Sequence, residues 1–190
     1  MPDPHEFQTP SPWVVRWAAL IHAGGTALDV ACGGGRHTRH LAALGLRVTA
    51  VDRDAAALAE LSGLAGVRAV QADLEGAPWP FGAGAFDGIV VTNYLHRPLF
   101  VALAASLAPG GVLIYETFMA GNERYGKPSN PDFLLRLDEL ADAWRGRLEV
   151  VAFEQGRVER PKPAVIQRIC ALRGAPAEVD DLPIALPPFG

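Results

Sequence analysis

The sequence has few cysteines, no long apolar run and no excess of positive charge. Its two cysteines, Cys32 and Cys170, lack metal-ligand spacing, so two buried thiols are expected. No apolar stretch approaches the ~18 residues of a membrane helix, and the first residues lack the basic and apolar parts of a signal peptide. The net charge of −4 disfavours a polyanionic partner. We therefore expect a cytoplasmic protein that binds neither membrane nor nucleic acid.

Length and composition indicate one globular domain. The 190 residues are 49% hydrophobic and 20% charged, as in ordinary folded proteins. Ser11 and Pro12 are typical of a helix start, and Trp13 and Trp17 continue an amphipathic pattern. The predicted division is an N-terminal arm with a lid helix at 1–23, a main domain at 24–173 and a proline-rich tail at 174–190.

The segment 26–38 is the strongest local signal, because an apolar strand ends there in three consecutive glycines before a helix-like run. Asp29 precedes this turn, and a second acid, Asp52, closes the next apolar run. Asp52 follows Gly33 at the separation of about 20 residues that links a nucleotide-binding turn to the acid that accepts ribose hydroxyl hydrogen bonds. The ligand predicted from the residues alone is a nucleoside derivative.

Strand-like and helix-like runs alternate after this turn, which predicts β-α units and a parallel sheet. The last two strand-like runs follow each other directly, which predicts an antiparallel pair. The predicted strands are 26–31, 46–51, 67–71, 86–92, 112–118, 147–155 and 164–173. The predicted helices are 36–44, 54–61, 98–107 and one from Asn130 that carries Phe133, Leu134, Leu137, Leu140 and Trp144 on one face.

The glycine spacing distinguishes between nucleoside ligands. A dinucleotide fingerprint places a small residue where this chain has Arg36, and an arginine there crowds the contact between helix and strand. The pattern Asp29-x-Ala31-x-Gly33-x-Gly35 instead resembles the first motif of class I S-adenosylmethionine (SAM) methyltransferases, with Ala31 replacing the usual first glycine. The resemblance covers residues 24–173.

This resemblance implies an α/β, Rossmann-like seven-stranded sheet with helices on both faces, in which an antiparallel C-terminal hairpin closes five parallel β-α units. It also implies SAM as cofactor and S-adenosylhomocysteine as product. Asp52 is expected to bind the ribose hydroxyls and Asp73 the adenine amine, with Leu74 against the ring. Asp29 is expected either to bind the ammonium group through water or to organise the turn. The remaining expected cofactor residues lie at strand ends: Ala31, Cys32, Gly33, Gly35, Arg53, Thr92 and Asn93.

Candidates for catalysis follow the fourth and fifth strands. Methyl transfer needs alignment and, for some acceptors, a base, and no metal is obligatory. Tyr94 and His96 are expected near the transferred methyl group, with His96 as the candidate base. Arg124 and Tyr125 lie in a polar loop that resembles the tellurite-resistance (TehB-like) small-molecule branch. The predicted acceptor is a metalloid anion, a thiol or a similar small molecule.

Two alternative functions remain open from the sequence. One is an NAD-type oxidoreductase, which Arg36 disfavours. The other is a non-catalytic SAM-binding module or partner subunit of a modifying enzyme. The C-terminal cations, among them Arg157, Arg168 and Arg173, are read as a solvated hairpin because a nucleic-acid surface needs stacking aromatics beside them. The oligomeric state is not predicted.

Overall fold

The structure is a computed structural model that describes residues 9–174, so most of the predicted tail and the first eight residues of the arm lie outside it. A seven-stranded sheet in the order β3-β2-β1-β4-β5-β7-β6 forms its centre. Strands β1 to β5 pair in parallel, and β7 is antiparallel to both of its neighbours, as predicted. The strands are β1 Thr26–Val30, β2 Arg47–Asp52, β3 Val67–Gln71, β4 Phe86–Thr92, β5 Leu107–Phe118, β6 Glu149–Val158 and β7 Ala164–Leu172.

Apolar side chains on both faces of the sheet explain why helices cover it on both sides. Leu28 and Val30 of β1 belong to one buried cluster, and Ala27 of the same strand belongs to another. Alternate strand residues point to opposite faces, so these two clusters are the two cores. The α-helices within residues 9–174 are α1 Pro12–Trp17, α2 Arg36–Ala43, α3 Ala55–Ala59, α4 Phe100–Ser106 and α5 Glu139–Trp144.

Helix α1 begins as predicted. The Ser11 hydroxyl accepts a hydrogen bond from the Trp13 amide at 3.2 Å, which caps the helix. Trp13 and Trp17 are each 2% exposed, and the Trp13 indole donates to the carbonyl of Ile169 in β7 at 3.2 Å. The predicted lid helix is therefore packed against the sheet in this structure.

The prediction of one helix from Asn130 to Trp144 is wrong. A 3₁₀ turn covers Pro131–Phe133, and α5 begins only at Glu139. Between them Leu135 bridges to the chain after β5, because its amide donates to the Phe118 carbonyl and its carbonyl accepts from the Ala120 amide. Of the five side chains expected on one face, Leu134, Leu140 and Trp144 are buried, whereas Phe133 and Leu137 are exposed.

The starts of α4 and β5 also differ from the predicted ones. A 3₁₀ turn at Arg97–Leu99 precedes α4, so the α-helix starts at Phe100 rather than Pro98. Strand β5 starts at Leu107 instead of Val112, since Leu107 pairs with Phe86 and the following glycine segment runs beside the end of β7. Neither difference moves the carboxyl ends of the parallel strands, where the predicted site lies.

Candidate active site

The site lies where the strand order reverses. Strands β2 and β3 lie on one side of β1, and β4 and β5 lie on the other. In open α/β sheets this arrangement leaves a crevice beyond the carboxyl ends of the two central strands. In this protein the tips of β1 and β4 flank the reversal, and the predicted cofactor residues lie at or next to the ends of β1 to β4.

The turn after β1 uses left-handed backbone at three positions. Ala31 and Gly33 have φ values of 52°, and Gly35 has 74°. A side chain at Gly35 would place its Cβ 2.3 Å from a methyl carbon of Leu61, so only glycine fits there. A Cβ at Gly33 would meet nothing within 4 Å. The turn therefore packs tightly against Leu61 at Gly35 and is open at Gly33.

Asp52 connects this turn to the next strand. Its Oδ2 accepts from the Gly33 amide at 2.8 Å and its Oδ1 from the Asp54 amide at 2.9 Å. Asp54, not Asp52, caps α3, because its Oδ1 accepts from the Ala56 and Ala57 amides. Asp52 is therefore not needed as a helix cap, and Arg53 beside it is exposed.

Asp29 is 1% exposed beneath the turn. The Thr38 hydroxyl donates to its Oδ2 at 2.6 Å, which ties the end of β1 to α2. Burial raises the pKa of Asp29 to about 6, although the Thr38 hydrogen bonds oppose this shift. Of the two expected roles, this contact supports the one in which Asp29 organises the turn.

The two cysteines are buried thiols, as predicted. Burial and the charges of Asp29 and Asp52 raise the pKa of Cys32 to about 12. Burial likewise raises the pKa of Cys170 to about 12. Both groups are protonated at neutral pH and have no nucleophilic thiolate.

The predicted adenine side of the crevice contains two of the predicted catalytic residues. Hydrogen bonds from the Glu75 and Gly76 amides hold the pKa of Asp73 below its ordinary value, and the charge of His96 adds to this. Burial, followed by the charge of Glu75, raises the pKa of Tyr94. Tyr94 and His96 therefore lie beside the β3 tip. Leu74 is 6% exposed in the core, which leaves little of its side chain to contact a ring.

The β4 tip makes contacts that the sequence analysis missed. The Asn93 amide donates to the Glu116 carbonyl at 2.9 Å, and Asn93 has a left-handed φ of 54°. The Thr92 hydroxyl lies 3.2 Å from Nδ1 of His37, and His37 Nε2 accepts from the Ser11 amide at 3.1 Å. His37 is buried in the first turn of α2. Its place directly after the three glycines is the feature of the sequence that could have identified it as a candidate site residue.

A second group of polar contacts joins α1 to the tip of β5. The Glu116 carboxylate accepts from the Ser11 hydroxyl at 2.8 Å and pairs with Arg168 at 3.5 Å. Arg168 also pairs with Glu154 at 2.5 Å, and its guanidinium lies 4.7 Å from the centre of a Trp13 ring. The prediction of a solvated C-terminal hairpin is therefore wrong for Arg168, whose side chain is 15% exposed.

The loop predicted to contact an acceptor is anchored at its base. The Asn122 side chain accepts from the Val165 amide at 3.2 Å and donates to the Pro128 carbonyl at 3.1 Å. Arg124 and Tyr125 are exposed, and the Arg157 guanidinium lies 5.3 Å from the Tyr125 ring centre. The structure thus places Tyr125 beside the C-terminal hairpin.

A cavity lies outside the predicted site within residues 9–174. This cavity of about 650 Å³ lies between the start of α4 and α5, lined by Arg97, Phe100, Arg136, Leu137, Glu139, Asp142 and Ala143. The described part of the chain has no cluster of three metal-ligating side chains, and none of its helices has the length and apolarity to cross a membrane.

Comparison with known proteins identifies the fold and a domain. Residues 27–111 match a family model described as a methyltransferase domain. TehB from Haemophilus influenzae is structurally similar, with a TM-score of 0.69 at 20% identity over 83% of this chain, and this chain spans 60% of its length. No significant relative was found among curated proteins by sequence.

Two other solved structures match over most of their length. A SAM-dependent methyltransferase from Methanosarcina mazei has a TM-score of 0.66 at 18% identity, covering 87% of this chain and 98% of its own. One from Aquifex aeolicus has a TM-score of 0.66 at 16% identity, covering 91% and 95%. These similarities show a shared fold and leave the acceptor to be inferred from the site.

Proposed function

We propose that this protein transfers the methyl group of SAM to a small-molecule acceptor, because its residues 27–111 match a methyltransferase domain model and its fold is shared with SAM-dependent methyltransferases. The observation that carries the proposal is the carboxylate of Asp52, held 2.8 Å from the Gly33 amide at the strand-order reversal. A ribose bound at this turn would meet a carboxylate placed to accept hydrogen bonds from its hydroxyl groups.

The residues present fit SAM better than a dinucleotide. Each Asp52 oxygen accepts one backbone hydrogen bond, so acceptor capacity remains on both for two ribose hydroxyls. A pyrophosphate needs free backbone amides at the turn. The Gly33 amide already donates to Asp52, whose charge repels phosphate, and Arg36 occupies the start of α2. These contacts disfavour the NAD alternative.

We assign the cofactor contacts by strand tip. Ala31, Cys32, Gly33 and Gly35 present the backbone of the turn to the amino-acid part of SAM, and Asp52 with Arg53 borders the ribose. Asp73 accepts from the adenine amine, and the small exposed part of Leu74 borders the ring. Thr92 and Asn93 close the crevice at the β4 tip. Asp29 acts beneath the turn by positioning it through Thr38.

SAM, when bound, would supply an activated methyl group for an acceptor placed in line with its sulfonium. The chain has only to align the acceptor and, where the acceptor carries a proton, to remove it. His96 is the proposed base. Burial raises the pKa of Tyr94, so its neutral phenol can donate a hydrogen bond but cannot serve as a base at neutral pH.

Acceptor binding is assigned to the exposed loop at the end of β5. Arg124 carries a positive charge and Tyr125 an exposed ring and hydroxyl at the rim. Both suit a small anion, such as a metalloid oxyanion, or an ionised thiol. The structural similarity to TehB is consistent with this choice and shows the fold alone.

Calorimetry and methyl transfer test the proposal separately. Titration with SAM and with NADH should show binding of SAM and much weaker binding of NADH, and the reverse order would favour an oxidoreductase. Radiolabel from methyl-labelled SAM should then appear in at least one member of a panel of metalloid oxyanions, thiols and amines. SAM binding without transfer to any of them would favour a non-catalytic SAM-binding module.

A further inference from the structure

Three residues from separate elements form a hydrogen-bonded chain beside the crevice. The amide of Ser11, at the start of α1, donates to Nε2 of His37 in α2 at 3.1 Å. The other ring nitrogen of His37, Nδ1, lies 3.2 Å from the hydroxyl of Thr92, the last residue of β4. His37 is 2% exposed, so this chain is shielded from water at its centre.

These hydrogen bonds can run in only one direction, from the Ser11 amide through the His37 ring to the Thr92 hydroxyl. A backbone amide can donate and cannot accept, so Nε2 of His37 must be unprotonated. The neutral ring then carries its proton on Nδ1 and donates it to the Thr92 oxygen. Since that oxygen is the acceptor of this bond, the hydroxyl proton of Thr92 is directed elsewhere. Burial, with the charges of Arg36 and His40, lowers the pKa of His37 to about 3, which keeps the ring neutral.

Thr92, the last residue in this series of hydrogen bonds, lies at the strand-order reversal. Thr92 follows Val91, which pairs with Val30 at the end of β1. Among residues 9–174, the Thr92 side chain has no hydrogen-bond partner other than His37. Arg36, one residue before His37, is near enough to Asp29 and Glu116 to interact with both charges. A hydroxyl donor and a guanidinium therefore share this corner.

We propose that His37 is a positioning residue that, held by the Ser11 amide, fixes the Thr92 hydroxyl as a hydrogen-bond donor to an anionic oxygen in the crevice. This inference rests on the proposed methyltransferase function. The anionic oxygen belongs either to the carboxylate of SAM or to an oxyanion acceptor, and both offer the same chemistry to a hydroxyl donor.

Calorimetry distinguishes these two sources. The ligands are S-adenosylhomocysteine, 5′-methylthioadenosine, which lacks the amino-acid part, and selenite added to protein saturated with S-adenosylhomocysteine. Thr92→Val removes the hydroxyl and keeps the branched shape, Thr92→Ser keeps the hydroxyl, and Thr49→Val is a matched control in the middle of β2.

If the cofactor carboxylate is the partner, Thr92→Val should bind S-adenosylhomocysteine roughly 10-fold more weakly and 5′-methylthioadenosine unchanged. If an acceptor oxyanion is the partner, only selenite binding should fall. Thr92→Ser and Thr49→Val should resemble the wild type in either case. Unchanged binding of every ligand, or equal loss for both nucleosides, overturns the proposal.

Two His37 variants test whether it acts through Thr92. Asparagine keeps a donor near the Nδ1 position, whereas phenylalanine keeps the size and removes all donors. Whichever ligand Thr92→Val binds more weakly, His37→Asn should bind that ligand more tightly than His37→Phe does. In a Thr92→Val background, neither His37 substitution should reduce this affinity further. Additive losses would contradict action through Thr92, and the Thr92 variants decide the matter if His37→Phe does not fold.

The proton position is measurable without any ligand. Nitrogen-15 NMR of His37 should show protonated Nδ1 and unprotonated Nε2 across neutral pH. The opposite tautomer would contradict the hydrogen bond from His37 to Thr92 and would overturn the proposed role of His37, but not the proposed methyltransferase function. Failure of the wild type to bind S-adenosylhomocysteine would instead overturn the proposed function and, with it, this inference.

Discussion

The carboxylate of Asp52 accepts a hydrogen bond from the amide of Gly33 at 2.8 Å, although 19 residues separate them in the chain. This contact fixes the end of β2 against the turn after β1. It holds a carboxylate in place before any ligand binds, so little conformational entropy is lost in ordering this side chain when a ribose binds. The site thus has a preformed centre at the sheet's strand-order reversal.

Asp52→Ala should weaken binding of S-adenosylhomocysteine by about 2 to 4 kcal/mol, as when one partner of a charge-assisted hydrogen-bonded pair is removed. Calorimetry measures this directly. Asp54→Ala is the matched control, because it removes the cap of α3 and should cost about 1 kcal/mol of folding stability with affinity unchanged. Equal affinity of the Asp52 variant and the wild type would exclude Asp52 from the site.

Gly35→Ala should destabilise the fold strongly, because the new Cβ would lie 2.3 Å from Leu61 and the residue has a φ of 74°. The left-handed backbone costs about 1 to 2 kcal/mol, and overpacking adds about 1 to 3 kcal/mol. Gly45→Ala is the control, since its φ is 82° and a Cβ there meets nothing within 4 Å. Chemical denaturation should show the larger loss at Gly35, and equal losses would rule out the packing contribution.

Asp29 should make folding stability fall as pH rises from about 4 to about 6. Its folded pKa of about 6 lies above the ordinary aspartate value of 3.8, so the folded state binds more protons in that window and ionisation costs stability. Asp29→Asn cannot ionise and keeps an oxygen for the Thr38 hydroxyl. Relative to the wild type, it should gain roughly 3 kcal/mol across this window. A constant difference between the two proteins over pH would contradict the raised pKa.

His37 should act in the opposite direction. Its folded pKa of about 3 lies below the ordinary histidine value of 6.5, so the unfolded state binds more protons between these values. Its contribution is complete above about pH 6.5 and is lost as pH falls toward 3. Denaturant titrations of His37→Asn, which does not titrate, should show a shallower acid loss than those of the wild type. A parallel acid loss would place the responsible group elsewhere.

Arg124→Ala should leave cofactor affinity unchanged and reduce methyl transfer at low acceptor concentration, because Arg124 is proposed to bind the acceptor. Steady-state kinetics with an acceptor identified from the panel should show the effect chiefly in KM for that acceptor. Arg145→Ala removes another exposed arginine, which pairs with Asp142 on α5, and should change neither quantity. Full activity of the Arg124 variant would remove the loop from acceptor binding.

The strands were predictable because each is a short apolar run with turn residues at its ends. Strands β3 and β4 have the predicted bounds, and the antiparallel order of the last two strands is confirmed. The segment 130–144 shows where periodicity fails. Its apolar spacing suits a helix, but Leu135 forms backbone hydrogen bonds with the chain after β5, and a contact with such a distant segment has no local signal.

The sequence alone determined the class of fold, the turn between Ala31 and Gly35, and the pairing of this turn with an acid at the end of β2, because all three depend on residues close in the chain. Only the tertiary structure decided which side chains share the crevice. It shielded most of the Arg168 side chain from solvent and brought Ser11, His37 and Thr92 together. Such meetings depend on how strands and helices pack across the sheet, and packing between remote segments leaves no periodic pattern in the chain.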